Sequence, residues 1–176
     1  MKKAMIFAML LVCNMCVCTT MFSTTIGKMP SQKEAIVINY KFDYSKMTID
    51  KWIAREYIVA RENKNNLQPD DAWNSFTQKV ESAFVGIANG KLIDSGYQLS
   101  NETESDYELI IYFEKADSDG EHTVMGELYN SGTKICEIKA HANGSRWNEF
   151  SSLLVESMDS SVNKFSKRLI KAIGAY

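Results

Sequence analysis

The sequence predicts an α+β fold, a two-layer sandwich in which a mixed four-stranded sheet carries helices on one face, in the order strand, helix or helices, three-strand meander, helix. Three observations predict it. Residues Ile36 to Tyr44 alternate apolar and polar side chains. Two later stretches, Trp73 to Ile87 and Phe150 to Ile173, repeat apolar residues at helical spacing. Between them, the turn sequences Asp117-Ser118-Asp119-Gly120 and Asn130-Ser131-Gly132 divide three β-rich runs.

In the first strand, Ile36, Ile38, Tyr40, Phe42 and Tyr44 share one face and Val37, Asn39, Lys41 and Asp43 the other. From Thr48, a candidate N-cap, the positions Ile49, Trp52, Ile53, Tyr57 and Ala60 follow a helical rhythm that ends in the polar stretch Arg61 to Gln68. Tyr57, Ile58 and Val59 also suit extended chain. Pro69, Asp70 and Asp71 open a longer helix with the stripe Trp73, Phe76, Val80, Ala83, Phe84 and Ile87, and Asn89-Gly90 is its expected stop.

After Gly96 and the polar linker Asn101 to Asp106, the nearly unbroken apolar run Tyr107 to Phe113 suits a strand covered on both faces. Val124 to Tyr129 and Ile135 to His141 complete the meander. A break at Asn143-Gly144 precedes the last helix, whose stripe is Phe150, Leu153, Leu154, Met158, Val162, Phe165, Leu169 and Ile173. Glu149, Glu156 and Asp159 sit toward its start and Lys164, Lys167, Arg168 and Lys171 toward its end, as the helix dipole favours. The long crossover lets the first strand lie parallel to the second. The uncovered sheet face should carry Glu108, Glu127, Glu137 and Lys139.

The amino terminus reads differently. Lys2 and Lys3 precede the apolar run Ala4 to Val12, which Asn14 interrupts too soon for a membrane span; a cleaved secretory signal over residues 1–23 is expected, then a linker over 24–34 and one domain over 35–176. Three of the four cysteines, Cys13, Cys16 and Cys18, fall in that leader, so Cys136 alone would remain, as a small buried hydrophobe without a disulfide. Val12, Met15 and Val17 stand where a lipoprotein signal needs a small residue, so membrane association is expected only with lipidation. Loss of Lys2 and Lys3 takes the 20 basic residues to 18 against 22 acids, a net charge of −4. No broad positive field exists for nucleic acid.

Several segments together carry a resemblance: Ile36-Val37-Ile38-Asn39-Tyr40 with Phe42-Asp43-Tyr44-Ser45, the central helix, Tyr107 to Phe113, Leu128 to Lys134, and Asn143 to Phe150. The pattern resembles small exported proteins of unknown function from the Bacteroidetes. More distantly, the element order is similar to the amino-terminal domain of the translocation protein TolB and the periplasmic core of the curli secretion lipoprotein CsgG. The resemblance implies an envelope-side interaction module and brings no catalytic residue with it.

Each candidate site residue also has a plainer role. Asp117, Asp119 and Glu121 offer oxygen ligands, but the spacing is that of an acidic hairpin rather than a calcium loop. His122 and His141, on facing strands, lack a third zinc ligand and read as surface or interface residues. Ser151, Ser152, Ser160 and Ser161 read as a solvated helix face without a nucleophile motif. Asp70 and Asp71 cap a helix. The basic cluster Lys164 to Lys171 suits solvent or anionic lipid. Asn101-Glu102-Thr103 and Asn143-Gly144-Ser145 match a glycosylation acceptor, and Trp147 after Arg146 is either a staple for the last helix or a partner anchor.

The functional expectation is an exported, periplasmic or secreted protein without catalysis, metal or cofactor, which binds a protein or other envelope component through a strand edge or the open sheet face. The alternatives are a small-ligand or lipid carrier, or a secreted enzyme without a recognisable motif.

Overall fold

The computed structural model describes residues 35–63, 65–144 and 150–174. The leader, the linker up to residue 34, and Ser145, Arg146, Trp147 and Glu149 lie outside the described residues. The elements run β1 (Ile36–Asp43), β2 (Thr48–Ile49), β3 (Trp52–Ile53), α1 (Ala54–Tyr57, continued by a π turn Ile58–Glu62), α2 (Pro69–Leu92), β4 (Tyr97–Leu99), β5 (Tyr107–Ala116), β6 (His122–Asn130), β7 (Thr133–Ala142) and α3 (Phe150–Ile173). The main sheet is ordered β7-β6-β5-β1-β4. β1 lies parallel to β5, from Asn39 against Glu108 to Asp43 against Tyr112, and the β5-β6-β7 meander is antiparallel. This is the mixed α+β sandwich the sequence predicts, but its sheet exceeds the four strands expected, because β4 joins β1 and the short β2 and β3 join at Ala116 of β5.

Both long helices pack on the same face. Phe84 of α2 meets Phe42 of β1 and Phe165 of α3 edge-on, each at 5.4 Å between ring centres. All eight predicted apolar positions of α3 are buried, each such side chain contributing on the order of 2 kcal/mol by leaving water. β5 alternates rather than being covered on both faces: Leu109, Ile111 and Phe113 are buried against the helices, while Ile110 and Tyr112 stay half-buried on the other side. The expectation of a doubly covered strand is thereby corrected. Its apolar run is continuous because the open face also keeps apolar groups at its centre.

Three further departures have local causes. Thr48 to Ile53 is a hairpin, with Thr48 opposite Ile53 and Ile49 opposite Trp52, so Thr48 is no N-cap and the helix starts only at Ala54. Asp50 and Lys51 form its turn with φ of 49° and 73°, the left-handed pair a two-residue hairpin turn requires. α2 runs past Asn89-Gly90 and, after a 3₁₀ turn, ends at Gly96 with φ 78°, where glycine's missing Cβ permits the left-handed cap. The three residues after it, to which the sequence assigns no element, pair with β1 as the parallel strand β4.

Candidate functional site

Alternation along the strands places Lys41 and Asp43 of β1, Glu108, Ile110 and Tyr112 of β5, Met125, Glu127 and Tyr129 of β6, and Lys134, Glu137 and Lys139 of β7 on the face opposite the helices. No described element covers it. Cross-strand register sorts these side chains into rows: Asp43, Tyr112, Met125 and Lys139; then Lys41, Ile110, Glu127 and Glu137; then Asn39, Glu108, Tyr129 and Lys134. Glu108, Glu127, Glu137 and Lys139 thus sit on the uncovered face, as the sequence indicates.

The charges there are ordered. Lys134 Nζ donates to Glu127 at 2.8 Å and to Glu137 at 3.4 Å, and Lys139 Nζ to Glu114 at 3.0 Å. Tyr129 donates to Glu127 at 2.8 Å. The Lys134 and Tyr129 bonds hold the Glu127 carboxyl below its usual range, and burial among acidic neighbours raises the Tyr112 phenol. Lys46 lies over the Tyr112 ring, 5.9 Å from its centre.

Both sheet edges are occupied by side chains. At the β4 edge, the Asn89 carboxamide accepts from Leu99 N–H at 2.7 Å and donates to Leu99 C=O at 3.0 Å, in place of another strand. Just beyond, the Asn101 carboxamide does the same for Tyr40, accepting from its N–H at 2.8 Å and donating to its C=O at 2.9 Å. At the β7 edge, Lys164 Nζ donates to the His141 carbonyl at 3.0 Å and Arg168 donates to the Lys139 carbonyl. The edge backbone at these places is already partnered, which blunts strand addition.

His122 and His141 point to opposite faces. His141 is exposed and pairs in register with Thr123 on the open side. His122 is 1 % exposed and faces the helices, which corrects its reading as a surface residue. Its Nδ1 donates to the Gly120 carbonyl at 2.9 Å, and since a carbonyl only accepts, Nε2 is left to accept from the Ser161 hydroxyl at 2.8 Å. Burial keeps the imidazole pKa below its ordinary value. Ser161, expected on a solvated face, is fully buried for the same reason, whereas Ser160 is exposed.

The remaining expected residues have structural partners. Asp117 accepts from the N–H groups of Asp119 at 3.3 Å and Glu121 at 3.2 Å, closing the acidic hairpin on itself. Asp70 and Asp71 stand in the first turn of α2, and Asp70 also pairs with Arg55. Ser152 accepts from Lys79 at 3.4 Å, and Ser151 is half-buried. Lys164 and Arg168 are committed to β7 rather than to solvent alone. Cys136 is half-buried beside the core, and burial pushes its thiol pKa up. A half-open cleft of about 440 Å³ at the end of the sheet brings together Lys51, Lys115, Asp117, Thr123 and His141; its charged lining does not suit an acyl chain.

Sequence reasoning missed the amide clamps of Asn89 and Asn101 and the basic caps on β7. A signal existed for one of them: Asn89 directly follows the buried Ala88 and lies three residues before the buried Leu92, a phase that leaves a carboxamide beside the core and in need of a backbone partner.

No family model and no curated protein matches the chain. Among solved structures, the chain is similar to an uncharacterized protein at 16% identity, over 77% of this chain and 92% of that one, with a TM-score of 0.42. A PelC dodecamer from Paraburkholderia phytofirmans matches at 13% identity, over 76% and 90%, with a TM-score of 0.38. Protein XCC0632 from Xanthomonas campestris, of the DUF330 family, matches at 16% identity, over 83% and 89%, with a TM-score of 0.40. Likenesses of this depth bear on neither ligand nor partner.

Proposed function

We propose that the chain is an exported, non-catalytic binding module of the cell envelope that engages its partner with the uncovered face of its sheet. The observation that carries this reading is the contrast between edge and face. Asn89, Asn101, Lys164 and Arg168 occupy edge backbone groups that strand addition would need, while the face keeps half-buried Ile110 and Tyr112 inside a rim of paired charges. A polar rim around a small apolar centre is the usual layout of a reversible protein interface. The leader-like amino terminus and the resemblance to small exported Bacteroidetes proteins support the compartment.

A photo-crosslinking residue placed singly at Glu137 or Ile110, and as a control at the exposed Gln78 on the helix side, tests this in the native host. Adducts from the two face positions and none from the control are expected. Adducts confined to the control, or an intracellular precursor of full mass as the only species, would remove the reading.

A further inference from the structure

We infer that the partner on this face is a second copy of the chain, docked about a two-fold axis running along the strands between β5 and β6. The inference rests on the face being the binding surface and names its occupant. A two-fold axis in that direction preserves position along a strand and exchanges the two sides of the sheet, so each cross-strand row meets its own reversed copy. Asp43 then faces the partner's Lys139, and Lys41 faces the partner's Glu137. Each pair occurs twice, giving four opposite-charge contacts at the rim. At the centre, the half-buried Tyr112 lies opposite the partner's Met125, which its own sheet already buries to 6% exposure, and Glu108 lies opposite the partner's Tyr129, whose phenolic proton is held by Glu127.

The alternative in-plane axis, across the strands, fails on charge. It stacks each strand on its own copy and sets Lys139 near the partner's Lys134, with Glu127 and Glu137 each against its own image. The axis along the strands has two poor contacts: Ile110 against the partner's Glu127, which is already satisfied by Lys134 and Tyr129, and Glu108 against the partner's Tyr129 phenol, whose proton Glu127 holds. The internal pair Lys139–Glu114 does not compete strongly, because both side chains are more than half exposed, at 57% and 53%.

Size sets the expected strength. Four strands about 4.8 Å apart and about seven residues long give a face of about 19 by 24 Å. Two such faces together bury on the order of 1,000 Å², the lower end of specific interfaces, so the dimer should be reversible.

The test uses sedimentation velocity on the full chain as its host processes it, from about 10 µM to about 1 mM, a range that brackets a reversible association. Wild type should pass from monomer to dimer. Asp43→Lys alone places lysine against lysine, and Lys139→Asp alone aspartate against aspartate; each should weaken association at least about tenfold, as like charges at a rim do. An equimolar mixture of the two variants should recover a dimer near wild-type strength, since the heterodimer restores both pairs. Recovery requires both chains to be folded. Lys41→Glu with Glu137→Lys repeats the design at the second pair.

Single variants that associate like wild type, or mixtures that fail to recover, overturn the inference. So does a wild type that stays monomeric throughout. In that last case, crosslinks from Glu137 to a different envelope protein would leave the face as the binding surface and remove only the second copy, whereas their absence would remove both.

Discussion

Nε2 of His122 lies 2.8 Å from Oγ of Ser161, and both side chains are sealed from solvent between β6 and α3. Ser157 stands beside them, its hydroxyl 2.9 Å from the same Gly120 carbonyl that accepts from His122 Nδ1. The three side chains tie the turn before β6 to the first half of the last helix. Because burial lowers the imidazole pKa from 6.5 in the folded chain, the unfolded chain binds its proton first as pH falls. The stabilisation is complete above about pH 6.5 and drains away as pH falls from there toward the lower folded pKa. Denaturant midpoints at pH 7.5 and 5.5 should drop for wild type, and His122→Gln should show a smaller drop from a lower start. Equal drops in the two proteins would mean that His122 does not carry this dependence.

Asn89→Ala removes both partners of Leu99 at the β4 edge and leaves two part-buried backbone groups unpaired. A loss of about 2 kcal/mol is expected, together with faster hydrogen exchange at the Leu99 amide. Asn89→Asp keeps the acceptor and loses the donor, and should fall between.

Gly126 sits under α3. A Cβ built there would lie 2.4 Å from Phe165 Cζ, whose ring is fully buried against Phe84. Gly126→Ala should cost about 1–3 kcal/mol through overpacking. Adding Phe165→Leu should return part of that loss, and a double variant no better than the sum of the two singles would contradict the clash.

Lys164→Ala with Arg168→Ala frees the carbonyls of His141 and Lys139 at the β7 edge. Global stability should fall by no more than about 1 kcal/mol, since both side chains are exposed. Irreversible aggregation on incubation, followed by light scattering, should rise because the edge becomes a template. A variant as clear as wild type would show that the caps do not guard the edge.

Lys51 holds a left-handed φ of 73° without being glycine. Lys51→Gly should therefore stabilise the domain by about 1 kcal/mol, the strain an L side chain bears there, and thermal unfolding will show the sign directly.

What the sequence disclosed depended on element length. The alternation of β1 and the stripes of α2 and α3 run over enough residues for their period to be read, and the meander turns carry Asp, Asn, Ser and Gly where turns need them. The β2-β3 hairpin stayed hidden because Ile49, Trp52 and Ile53 also fit helical spacing, and because two-residue strands show no alternation. Its turn uses Asp-Lys, without the glycine that marks such turns. Asn89-Gly90 looked like a stop because an exposed asparagine there would be one, whereas Asn89 is spent on β4. His122 and Ser161 were misplaced for a shared reason: each is polar, and burial is tolerable because they bond to one another and His122 also bonds to the Gly120 carbonyl. The open face was legible by residue, from Glu108 to Lys139, but its charge rows needed the register of β1 against β5.

The pairing of β1 has a consequence in time. Its strand neighbours are β4 and β5, so nothing upstream of Tyr97 within the described chain can complete its ladder. The core closes only when Phe150 to Ile173 arrive to cover it. Such a long-range order of contacts slows collapse to the native state, and during synthesis β1 and β5 stay without their full helix cover until Phe150 to Ile173 have been made.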